Sequence, residues 1–183
     1  MEGPLAAANI DVGTRDDLSL DLQLQAEVAR CWMDVSNAGG AVGFPFLPVG
    51  LDKVSEAVRH LGDEVDRGEA VLFEAREQGL LVGWVTLRLN QARLTSHWAT
   101  VERLQSHPTK RGLGIGDALL RATVEHGRGS GLHHLLLVLR AGEGLEPFYE
   151  RLGWTQVGRH PSALRLRAGD DRDEVIMTLP LQP

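Results

Sequence analysis

Apolar residues recur at helical spacing in two early stretches of the chain. Leu24, Val28, Cys31, Trp32 and Val35 fall on one face of a helix that stops at Asn37-Ala38-Gly39-Gly40, where glycines readily end helices. Val54, Ala57, Val58, Leu61 and Val65 mark a second helix, ending near Gly68. Asn9 to Thr14 reads as a short opening strand. Between the helices, Ala41-Val42-Gly43-Phe44-Pro45-Phe46-Leu47-Pro48 has prolines that forbid regular helix and aromatics that need cover, so an ordered loop over a pocket is expected.

The middle of the chain changes period. Ala70 to Arg76 and Leu80 to Leu89 flank Glu77-Gln78-Gly79, a hairpin turn, and His97 to Ser106 alternates until His107-Pro108 ends it. These three runs predict an antiparallel meander. Ile115, Ala118, Leu119 and Ala122 then mark a helix, followed by the nearly continuous apolar run Leu132 to Leu139. Such a run suits a strand covered on both faces, which usually has a parallel neighbour reached by a helical crossover. Leu145, Phe148, Tyr149 and Leu152 define a short helix with Pro147 in its first turn, and strands near Trp154 to Arg159 and Glu174 to Leu179 finish the chain.

With 183 residues the chain has the length of a single domain, taken as 1–183. No apolar run reaches the roughly 18 residues of a membrane span, so no membrane partner is expected. The start lacks the pattern of a secretory signal, and the lone Cys31 can form neither an internal disulfide nor a cysteine-rich metal site. A cytoplasmic location is expected. A formal net charge of −6 argues against nucleic acid as a partner and is compatible with an amine drawn to an acidic surface. No metal site is expected either. His133 and His134 adjoin and point to opposite faces of a strand, while His97 and His107 lack partners at ligand spacing.

The richest chemistry lies in Arg111-Gly112-Leu113-Gly114-Ile115-Gly116, between a strand and a helix. Glycines let a ligand approach peptide N–H groups, and the free N–H groups at a helix start carry partial positive charge. Together they make a cradle for a phosphate or diphosphate, with Arg111 adding a fork of donors. Asp117-Ala118 stands where a Walker loop needs Lys-Ser/Thr. The third glycine or alanine of a dinucleotide loop is also missing, since the counts fall on Asp117 or Leu119.

The segment Val101-Glu102-Arg103-Leu104-Gln105-Ser106-His107-Pro108 leading into this loop resembles the acetyl-CoA motif of the GNAT superfamily of N-acetyltransferases, whose Arg/Gln-x-x-Gly-x-Gly/Ala core matches Arg111, Gly114 and Gly116. Downstream, Glu146-Pro147-Phe148-Tyr149-Glu150-Arg151-Leu152-Gly153-Trp154 resembles the family's tyrosine-bearing second motif, with a weaker similarity to tabtoxin-resistance-type acetyltransferases. The resemblance implies an α/β (α+β) fold: a mixed, mostly antiparallel central sheet with a splayed parallel strand pair and helices on both faces. It implies acetyl-CoA as co-substrate, bound by Leu104, Gln105, Ser106, Arg111, Gly112, Leu113, Gly114, Ile115, Gly116 and Asp117. Tyr149, the only tyrosine, would be the acid that protonates the departing thiolate.

Family members often place a basic carboxylate on the fourth strand, two positions before Glu102, where this chain has Thr100. Simple alternation sets Glu102 on one strand face with Trp98, Thr100 and Leu104, and Glu102 is the candidate base, beside a solvated surface role or a water relay. Phe44, Trp84 and Trp98 are candidates for the acceptor pocket, against a role in the core. The leading expectation is N-acetylation of a primary amine of a small molecule by direct transfer. A protein or peptide amine is the alternative acceptor, and a non-catalytic acyl-CoA sensor or a nucleotide-binding domain are the other classes. A homodimer through the C-terminal strands is also open.

Overall fold

The computed structural model describes residues 10–19, 21–40 and 42–181. Its elements run β1 (Ile10–Arg15), α1 (Leu22–Asn37), α2 (Leu51–Asp66), β2 (Ala70–Glu77), β3 (Leu80–Leu89), β4 (Trp98–Ser106), a 3-10 turn (Pro108–Lys110), α3 (Ile115–Gly129), β5 (His134–Arg140), α4 (Glu146–Arg151), β6 (Thr155–Arg167) and β7 (Asp170–Pro180). Asn9 and Ala41, placed by the sequence in the opening strand and the pocket loop, lie outside the described residues.

One seven-stranded sheet has the order β1-β2-β3-β4-β5-β7-β6. Among its pairs only β4 and β5 are parallel, with α3 as the crossover between them. The β2–β3 hairpin turns at Gln78 and Gly79, both at positive φ, as a two-residue hairpin loop requires. The final hairpin is longer than the sequence pattern predicts. Charged residues along β6 hide the strand from a hydrophobic reading, because most of β6 is exposed and needs no apolar alternation.

The sheet separates two apolar clusters. Val71, Phe73, Val85 and Leu87 face α3 and α4 with Ile115, Leu119 and Tyr149. Leu72 and Trp84 point the other way, against Leu24, Val28 and Trp32 of α1 and Val54, Val58 and Leu61 of α2. Helices therefore cover both faces. A buried carboxylate, Glu74, joins this frame through Arg15 Nε at 2.7 Å and Arg76 Nε at 2.9 Å, and Arg76 reaches Glu27 of α1 at 2.7 Å.

Candidate active site

The parallel pair opens the sheet. The β4–β5 register runs from Trp98 opposite His134 to Val101 opposite Leu137 and no further, although β4 continues to Ser106. On its other side β4 pairs Glu102 with Thr86 and then Gln105 with Trp84, so Arg103 and Leu104 together stand opposite Val85 alone. This is a bulge, and Arg103 sits in it at φ +58. Bulge and splay together leave a stretch of β4 backbone without strand partners, the condition under which an extended ligand can add to a sheet edge.

A cleft of about 580 Å³ occupies the gap. Leu104, Gln105 and Ser106 form its β4 wall; Leu137, Val138, Leu139 and Arg140 of β5 face them; Phe148 and Tyr149 come from α4. At one end lie Lys110, Arg111, Gly112, Gly114, Ile115, Gly116 and Asp117. Gly112 and Gly114 have φ of +80 and +79, and a Cβ on either would meet nothing within 4 Å. The conformation needs glycine, and the space beside it is open. Gly114 caps α3 without a side chain, so the first N–H groups of that helix have no capping side chain. This concave row of free amides fits a diphosphate. Arg111 is exposed and makes no ion pair among the described residues, whereas Asp117 is held by Arg121 at 2.7 Å. Leu113, half exposed, does not line the cleft, so any part it takes is through its backbone.

Two further glycines shape this end. Gly83 of β3 lets α3 press onto the sheet: a Cβ there would stand 2.6 Å from Ile115 Cγ2 and 2.7 Å from the Gln105 carbonyl oxygen. A Cβ on Gly116 would meet Phe148 Cζ at 3.3 Å, which brings α4 against the start of α3. Tyr149 is buried beside Phe148 and Trp154, and burial pushes its phenol up to about 12, so it stays protonated at neutral pH.

Val35, Gly39, Gly40 and Val42 of the α1–α2 connection also line the cleft, as does Arg103. The Trp32 indole donates to the Val42 carbonyl at 2.6 Å, which ties this loop to α1. Hydrophobic periodicity marked Trp32 only as core. Arg103, Arg140, Glu143 and Gly83 carried no recognisable signal, because a bulge re-aims a side chain without changing residue type.

Several expectations need correction. The Arg103 bulge breaks strand alternation, so Leu104 packs with Val101 against the α3 side while Glu102 turns to the opposite face. There Glu102 meets Arg88 at 3.0 Å and Arg103 at 3.2 Å, beside the cleft lining rather than in it. Trp84 is fully buried in the second core cluster and cannot touch an acceptor. Trp98 begins β4, remote from the bulge, and stacks on His134. Phe44 lies against Trp32, with ring centroids 5.0 Å apart, outside the cleft lining. His97, read as lacking partners, lies 5.5 Å from the His133 ring and 5.7 Å from the His134 ring, centroid to centroid. Even so, no group of three His, Cys, Asp or Glu among the described residues is arranged to hold a metal ion.

No helix among the described residues is long and apolar enough to cross a membrane. No curated protein is similar enough to the chain to match. Solved structures share the fold. The ribosomal-protein-S18-alanine N-acetyltransferase of Escherichia coli superposes with a TM-score of 0.69 at 16% identity, covering 95% of each chain. The acetyltransferase yncA of Salmonella typhimurium, solved with its cofactor acetyl-CoA, gives 0.72 at 17% identity over 93% of this chain and 94% of that one. Nourseothricin acetyltransferase gives 0.56 at 27% identity over 64% and 68%. Residues 28–154, more than half of the chain and spanning α1 through α4, match the profile of the acetyltransferase (GNAT) family. The chain therefore belongs to the GNAT acetyltransferase family, an acyltransferase fold dependent on acetyl-CoA.

Proposed function

We propose that the protein moves the acetyl group of acetyl-CoA directly onto a primary amine of a small molecule, in the cytoplasm. The observation that carries this reading is a single cleft lined together by the glycine cradle, Tyr149, and Val35 and Val42 of the α1–α2 connection. Acetyl-CoA supplies the acyl group. The amides of residues 112–116 hold its diphosphate, and the β4 backbone around Leu104 and Ser106 takes the extended arm as an added strand. The Leu104 N–H polarises the thioester carbonyl from the bulge. Tyr149 keeps its proton at neutral pH and delivers it to the sulfur that leaves.

Among the described residues, no carboxylate lining the cleft stands unpaired to act as base. Glu143 is paired with Arg140 at 3.0 Å, and Asp117 with Arg121. Proton removal from the amine therefore falls to water, which suits an acceptor that enters already neutral. Release of free thiol from acetyl-CoA across a panel of primary amines tests the activity. In Tyr149→Phe, turnover should fall by about 10²–10⁴-fold, the usual contribution of a positioned acid, with acetyl-CoA affinity retained. Equal turnover in that variant removes Tyr149 from the chemistry. Acetyl-CoA binding with no thiol release for any amine would instead favour the sensor reading.

A further inference from the structure

Arg103 lines the cleft, and acetyl transfer as described gives its side chain no part. Its backbone is held at φ +58, a region that side-chain-bearing residues rarely adopt and keep only where their surroundings impose it. The result is a guanidinium turned toward the cleft and laid over the Trp32 ring, 5.4 Å from its centroid. Ser106 lies three steps along the strand from Arg103, about 10 Å at the usual rise, and the phosphate cradle follows it. Along β4, Arg103 therefore precedes the Leu104–Ser106 wall, with the cradle following it.

Its ion pair does not account for it. Glu102 already receives Arg88 Nε at 3.0 Å, and the other arm of Arg88 reaches Glu64 of α2 at 2.9 Å. Arg103 adds a single contact to Glu102, from Nη1 at 3.2 Å. A guanidinium carries five N–H donors, and among the described residues the others of Arg103 have no partner. Arg140 of the same cleft spends its Nη2 on Glu143 at 3.0 Å, and its buried Nε has no hydrogen-bond partner among the described residues. An open guanidinium, held flat by an indole and bordered by Val35 and Val42, thus faces the cleft of a protein whose net charge is −6. Attraction of a simple cation to the overall charge would not need it.

We propose that the acceptor is a small amine that also bears a carboxylate, and that Arg103 binds this carboxylate through its free guanidinium edge while Trp32 fixes the guanidinium plane. The proposal rests on the acetyl-transfer reading and narrows its substrate class. A planar fork matched to a carboxylate orients as well as attracts, so the amine of such an acceptor would be aimed along the cleft toward β4.

The test uses the full chain with acetyl-CoA and acceptors in matched pairs, each amino acid beside its own carboxamide. Because the carboxylate also makes the amine more basic, kcat/KM is calculated on the neutral-amine concentration of each member, which leaves the charged group as the difference compared. Thiol release gives kcat/KM for each member, and calorimetry gives acetyl-CoA affinity for wild type and variants. The expected result is an acid-over-amide ratio of at least about tenfold, the discrimination one charge-assisted hydrogen-bonded contact provides. Arg103→Gln should bring that ratio to near one, mainly through KM, while binding acetyl-CoA as wild type does. Arg103→Lys should keep part of the preference, having charge without the fork.

A wild type without acid preference overturns the proposal, as does a preference that survives in Arg103→Gln. Acetylation confined to peptides or proteins overturns it too. In each of these cases acetyl-CoA still binds and acetyl transfer stands. Failure of the wild type to bind acetyl-CoA at all removes the transfer reading, and the proposal with it.

Discussion

Replacing Gly83 with alanine tests how the sheet sets the position of the cradle. The new methyl would lie 2.6 Å from Ile115 Cγ2, 2.7 Å from the Gln105 carbonyl oxygen and 3.4 Å from Leu119 Cδ1. Ordinary contact begins near the last of these distances. The carbonyl belongs to β4 backbone, and Ile115 is the buried first residue of α3, so neither can swing into solvent. Relief requires α3 to lift from the sheet by roughly 0.8 Å and the β4 carbonyl to give by roughly 0.7 Å, and overpacking of this kind costs about 1–3 kcal/mol. At about 2–4 °C per kcal/mol for a domain of this size, Tm should fall by about 2–12 °C. The same displacement carries the N–H groups of Ile115, Gly116 and Asp117 away from their common focus. Loss of one hydrogen bond to an ionised group, about 1.5–3 kcal/mol, weakens acetyl-CoA binding by roughly tenfold or more. Thermal melts followed by circular dichroism and calorimetric titration with acetyl-CoA measure both effects. An alanine variant that melts and binds as wild type refutes the claim that Gly83 sets the seat of α3.

Gly129, the last residue of α3, has open space around it and no positive φ, so Gly129→Ala should stabilise the fold by about 0.4–1 kcal/mol, as a chemical denaturation curve would show. Glu74→Ala leaves Arg15 and Arg76 without their buried partner. Both arginines are partly exposed, which reduces the usual cost of breaking a buried pair to about 2–3 kcal/mol, measurable in the same way. Asp66 on α2 accepts from the Ser19 hydroxyl and from the backbone N–H groups of Leu18 and Ser19, and these bonds hold its carboxyl below the ordinary 3.8. Its folded pKa is depressed, so its stabilising effect is complete above 3.8 and is lost as pH falls through the lower folded value. Asp66→Asn should therefore be less stable than wild type at neutral pH, with the gap closing in acid; a gap that stays constant across the acid range would contradict this.

The parts of the fold legible in sequence were those governed by period and by local turn chemistry. Helical spacing placed α1 and α2, alternation placed the meander, and the apolar run Leu132 to Leu139 announced the strand beside β4. The glycine-rich turn was legible because Gly112 and Gly114 are needed where they stand, at positive φ with open space beside them. What escaped depends on register and on long-range approach. Counting by twos along β4 puts Glu102 and Leu104 on one face. A single residue in the left-handed region, Arg103, undoes that count, and nothing in its identity announces it. Trp84 and Trp98 stood open between pocket and core because strand periodicity gives a face but not what covers it. One proved to be sealed beneath Trp32 and the other to lie at the wrong end of its strand. Gly83 looked like an ordinary interior glycine until the distance to Ile115 was known.

The central claim is that main-chain amides at the start of α3 grip the diphosphate of acetyl-CoA. A crystal structure of the protein grown with acetyl-CoA tests it most directly. The account predicts phosphate oxygens within about 2.7–3.2 Å of backbone nitrogens between residues 112 and 116, and the thioester beside Leu104 and Tyr149. Electron density for the nucleotide anywhere else, or a cleft in which Gly112 and Gly114 have closed against neighbouring side chains, would contradict it.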